Sequence, residues 1–197
     1  MFRSIESILR AYRSHAHLTE PEALPDPEER LAIPVASLVV GYETAAAVAR
    51  HYSTQDPWEL ADAFGLRVRC EAQPPNARPD DRIRSAYLDQ PPTAILYRAA
   101  LEELADLIYL HRPNLKIDLL SLHLACVVFQ HLERIGMTSI SDPLGTIAPA
   151  SEARVAARIG RLTRYSTSLA AYAFAQALMA LPFFPADLDA LYPPREA

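Results

Sequence analysis

The sequence predicts a mainly helical α+β domain in which a small three-stranded sheet packs on a buried helix. Three observations carry that prediction. Long stretches rich in Ala, Leu, Arg and Glu keep helical periodicity, and seventeen Pro against five Gly in 197 residues stiffen the connections between them. Residues 66–97 instead contain short runs bounded by prolines, the first alternating apolar and charged, as strands do. The chain is long enough for one hydrophobic core. A net charge of -5 removes any global electrostatic pull toward nucleic acid or anionic membrane.

Taken in order, Ile5, Ile8, Leu9 and Tyr12 recur at spacings of three and four and predict a helix over 2–18. Residues 20–34 hold four prolines and a cluster of acids, which denies the backbone both donors and helical geometry, so they read as a linker or surface strap. A second helix is predicted over 41–51, with Ala45, Val48 and Ala49 facing inward. Asp56 is a good N-cap and Pro57 suits the first helical position, opening a third helix that Gly65 ends. Strands follow over 66–70, 85–88 and 93–97, the last two joined by the turn 89–92.

Helices resume over 99–110 and 117–132. The second is apolar nearly all round, its polar residues being Asp118, Ser121, His123, Gln130 and His131, so it is the central buried helix. Residues 136–149 read as loop. A last helix over 151–181, bent near Gly160, carries Ala170, Ala173, Phe174, Ala177, Leu178 and Leu181 as one stripe. Its small residues permit close approach, and the buried helix 117–132 is its expected partner. Cys70 and Cys126 sit in dissimilar settings and are expected to be reduced thiols. Arg3, Glu6, Arg10 and Arg13 break any signal-peptide core, and no apolar run approaches a membrane span, which together predict a cytoplasmic protein.

This order of elements, with particular residues, resembles the ImmA/IrrE-type zinc metallopeptidases. The segment 56–68 is similar to that family's helix-Gly-strand opening, and Ala94-Ile95-Leu96-Tyr97-Arg98 to its edge strand. Residues 124–133 align with a family segment of the form I-A-H-E-L-F-H-H-L-E, and residues 168–178 with E-I-A-A-H-A-F-A-Q-A-L. The resemblance covers residue 56 to the C-terminus. It implies a zincin-like domain over 56–197, preceded over 1–55 by a helical extension and the proline-rich strap, and a bacterial setting.

The chemical positions disagree with the family. A zincin needs two imidazoles one helical turn apart, a Glu between them as general base, and a third ligand. Here those positions hold Cys126, Val127 and Gln130, and the third ligand's position holds Ser168. Cys126 alone suits zinc. The resemblance therefore implies a catalytically inactive pseudopeptidase with no metal cofactor, acting as a protein- or peptide-binding regulatory module toward a repressor-like partner. The alternative is a zinc-dependent peptidase with unusual ligands drawn from His123, Cys126 and His131. Cys126 as a nucleophile is disfavoured on so apolar a helix. Two further features are candidates for partner binding: the strand bearing Ile95 and Tyr97, beside which a peptide could add as an extra strand, and Arg154, Arg158, Arg161 and Arg164, which form a stripe along one helix.

Overall fold

A computed structural model describes residues 27–75, 82–138 and 153–192, with side chains described from 34 onward in the first segment and from 166 onward in the last. The helix predicted over 2–18 and most of the loop 136–149 lie outside the described residues. Helix α1 spans Pro27–Tyr52 and α2 spans Pro57–Ala63. Strands β1 (Arg67–Glu71), β2 (Ser85–Asp89) and β3 (Pro92–Tyr97) follow. Helices α3 (Arg98–His111), α4 (Leu119–Arg134) and α5 (Ala153–Leu178) lead to a 3-10 helix over Pro185–Leu191. The result is an α+β fold, mainly helical, with one small mixed sheet.

The predicted strap fails at residue 27. Pro27 opens α1, where its missing N–H costs nothing, but Pro34 lies inside the helix and forgoes a backbone bond. Packing outweighs that loss. Leu38, Gly41, Ala45 and Val48 fall at helical spacing on one buried face of α1, and α1 makes the most extensive helix packing in the fold, against α5. At the crossing a Cβ on Gly41 would overlap the Ala170 carbonyl oxygen and stand 2.8 Å from Ala173 Cβ. The small-residue stripe of α5 therefore serves α1 as well as its predicted partner α4.

Asp56 caps α2, its Oδ1 accepting from the Trp58 N–H at 2.8 Å. Gly65 ends that helix at φ +66°, where a Cβ would be strained, and the Leu66 N–H closes on the Ala61 carbonyl at 2.8 Å. The sheet order is β1-β3-β2. β1 runs parallel to β3 with Arg67 opposite Thr93, and β2 runs antiparallel to β3 with Ser85 opposite Leu96. α4 is buried from Ser121 to Phe129 and again at His131 and Leu132, with Leu120 exposed, and packs on the sheet, α2 and α5. Asp118 caps it, and Trp58 Nε1 donates to Ser121 Oγ at 2.9 Å, fastening α2 to its first turn. Phe129 and Phe174 meet at 5.6 Å between centroids where α4 crosses α5. Among the described residues no helix is long and apolar enough to cross a membrane.

Candidate functional site

The α4 face bearing His123 and Cys126 is the polar interior of the molecule. Cys126 is buried, and its thiol donates to the Ala171 carbonyl of α5 at a sulfur-oxygen distance of 3.8 Å. Burial first, then the Asp189 carboxylate, push that thiol up to about 12, with Arg84 opposing. A neutral thiol is a poor nucleophile and a poor metal ligand. His123 is also buried, and burial with the positive charge of Arg84 drives its imidazole down to about 3 against the pull of Asp189. It stays neutral at ordinary pH.

Arg84 and Asp189 form an ion pair, with side chains 8% and 23% exposed. Burial works against the Arg84 cation, but the Asp189 carboxylate outweighs it and raises the guanidinium above its ordinary value. The Tyr172 hydroxyl donates to Asp189 Oδ2 at 3.5 Å, and burial pushes the phenol strongly up. The Tyr192 ring lies 4.1 Å from the Arg82 guanidinium carbon and 5.2 Å from that of Arg84. Three buried polar atoms, Arg84 Nε, His123 Nε2 and the Tyr192 hydroxyl, make no hydrogen bond among the described residues.

The residues aligned with the peptidase chemistry lie at different depths in the fold. Val127 is 0% exposed, within the apolar core. Gln130 is half-buried and Ser168 exposed, while Cys126 is sealed inside. The fallback ligands His123, Cys126 and His131 are not brought together. Eight residues of helix separate the two histidines by about 12 Å, and His131 Nδ1 is hydrogen-bonded to the Tyr87 hydroxyl of β2 at 3.0 Å. Among the described residues no three His, Cys, Asp or Glu side chains are grouped to hold a metal.

The strand bearing Ile95 and Tyr97 is not an edge. β3 is the central strand, with β1 on one side and β2 on the other, so no peptide can pair beside it. Both side chains are buried, at 6% and 4% exposure. Strand order depends on which distant segments pair, and period-two alternation does not encode it. Arg154, Arg158, Arg161 and Arg164 lie on α5, but their side chains fall outside those described.

The sequence reading missed Arg84, Tyr172, Asp189 and Tyr192 altogether. The one available signal was His123 itself, since a polar side chain on an otherwise buried helix needs polar company. A separate open cavity of about 850 Å3 lies between the C-terminal half of α1 and the end of α4, lined by residues that include Thr44, Val48, Tyr52, Leu132 and Met137; it shares no residue with the His123/Cys126 cluster. In comparisons with known proteins the chain matches no protein family, no curated protein and no solved structure.

Proposed function

We propose that the chain is a catalytically inactive pseudopeptidase of zincin-like architecture, similar to the ImmA/IrrE type, that works in the cytoplasm as a protein- or peptide-binding regulatory module without a metal cofactor. The observation that carries this reading is the state of the α4 face. Where a zincin of that kind needs a base and metal-binding imidazoles, this chain has a fully buried Val127 and a neutral, sealed Cys126. Burying valine avoids the cost of an unpaired interior carboxylate, so the substitution favours a packed helix over a reactive one. The net charge of -5 supports a protein partner over nucleic acid, and a repressor-like regulator is the partner that the resemblance implies.

The remaining candidate for contact is the α5 arginine stripe, four residues at spacings of four, three and three on one continuous helix. The test is capture of the partner by the intact chain, compared with an Arg158→Glu, Arg161→Glu variant of unchanged circular dichroism. Loss of the partner in the variant, with no cleavage of the partner by the wild type in zinc-supplemented buffer, is the expected result. Zinc-dependent cleavage would overturn the reading.

A further inference from the structure

The open cavity of about 850 Å3 between α1 and the end of α4 is shaped by side-chain length. Residues four apart on a helix line up in rows, and two adjacent rows of α1 face the cavity. One row is Thr44, Val48 and Tyr52; the other runs from Glu43 through Ala47 to His51, with Arg50 beside its end. The short side chains of Ala47 and Val48 therefore sit between Glu43 at one end and Arg50, His51 and Tyr52 at the other, which leaves a hollow over the middle. The far wall comes from the end of α4. Gly136 turns the chain there at φ +75°, and the Met137 N–H closes on the Leu132 carbonyl at 2.9 Å. The turn leaves Met137 56% exposed beside the fully buried Leu132.

The two ends of this hollow carry opposite charge. Glu43, Arg50 and His51 are exposed, and their side chains have no ion-pair or hydrogen-bond partner among the described residues. Ion pairs along a helix form at three or four residues, whereas Glu43 and Arg50 are seven apart, about 10 Å along the axis. A ligand that satisfies both ends needs a cation for Glu43, an anion for Arg50 and His51, and apolar material between them. A free amino acid is too short, and a fatty acid would lay its tail against Glu43. Three extended residues at up to about 3.5 Å each span about 10 Å, so a peptide of that length with free ends places an ammonium and a carboxylate at the required separation.

We propose that the cavity binds a short peptide of about three residues with both ends free. Glu43 takes the ammonium group, Arg50 and His51 take the carboxylate, and an apolar central side chain rests on Ala47, Val48 and Met137. Methionine adapts its shape to varied apolar groups, and the volume lies within the roughly 300–1,000 Å3 of small-ligand sites. None of these residues holds a position aligned with the peptidase chemistry, so the proposal stands apart from the pseudopeptidase reading.

The test is isothermal titration calorimetry of the intact chain with the tripeptide Ala-Leu-Ala, its N-acetylated form and its C-terminal amide. Saturable one-to-one binding of the free peptide is expected, with each capped form weaker by about fivefold, the worth of one partly screened ion pair. Glu43→Gln should bind the free peptide no better than the acetylated one, and Arg50→Gln should lose most of the discrimination against the amide. Both side chains are exposed, so both variants keep the fold. Ala47→Leu fills the hollow and should abolish binding. No saturable binding up to about 1 mM free peptide would overturn the proposal, as would equal affinity for free and capped peptides or discrimination that survives in the variants.

Discussion

Replacing Gly41 with Ala sets two effects of known sign against each other. On helix propensity alone, alanine inside α1 would stabilise the protein by about 1 kcal/mol. Gly41, however, sits where α1 and α5 approach most closely. The new methyl would overlap the Ala170 carbonyl oxygen and lie 2.8 Å from Ala173 Cβ and 2.9 Å from the Phe174 nitrogen. Ordinary contact needs about 3.5–4.0 Å, and two of these three neighbours are backbone atoms that cannot rotate away. The helices must part by roughly 1 Å, which loosens the packing around Phe174; overpacking of this kind costs about 1–3 kcal/mol. We expect Gly41→Ala to gain nothing and to lose up to about 2 kcal/mol net in urea unfolding, with an unchanged slope. Ala46→Gly, on the exposed side of the same helix, should lose about 1 kcal/mol by propensity alone. A Gly41→Ala chain more stable than the wild type by the full propensity gain of about 1 kcal/mol would refute the close crossing.

Other outcomes follow from the same structure. Val127→Glu places an unpaired carboxylate at a fully buried position and should cost on the order of 3–5 kcal/mol in urea unfolding; tolerance of that substitution would mean that this face is a solvated cleft. His123 is held near 3 in the folded chain against about 6.5 unfolded, so the unfolded state takes up the proton first. Its contribution is complete above about pH 6.5 and is lost as pH falls toward 3, by up to about 1.4 kcal/mol per unit. The stability of wild type relative to His123→Leu should therefore be flat above about pH 7 and fall below it, and a difference flat down to about pH 4.5 would contradict the burial of the imidazole. Trp58→Phe removes the indole bond to Ser121 Oγ and should lower the urea midpoint by the equivalent of about 1 kcal/mol, no change meaning that α2 is not fastened there.

Features written in local pattern were legible from residues alone. The strand at Leu66 to Cys70, the Asp56-Pro57 start and the buried helix α4 each appear in the structure within a residue or two of where the sequence places them, although Cys70, which alternation would turn inward, is exposed. Features that depend on distant partners were not. Pro34 argued for a strap because proline's local cost is visible, whereas the α5 surface that offsets it lies more than a hundred residues away. The position of β3 in the sheet, and with it the burial of Ile95 and Tyr97, follows from pairing with β1, which local spacing does not encode. The same holds for Arg84 and Asp189, ordinary surface types in sequence that pair only because the fold brings the 3-10 segment to Arg84.

The central claim is that this chain holds no working metal centre. Inductively coupled plasma mass spectrometry on untagged protein, purified without chelator, tests it most directly. The account predicts near-zero zinc, iron and manganese. One equivalent of any of them per chain would contradict it, and would return His123 and Cys126 to the role of ligands.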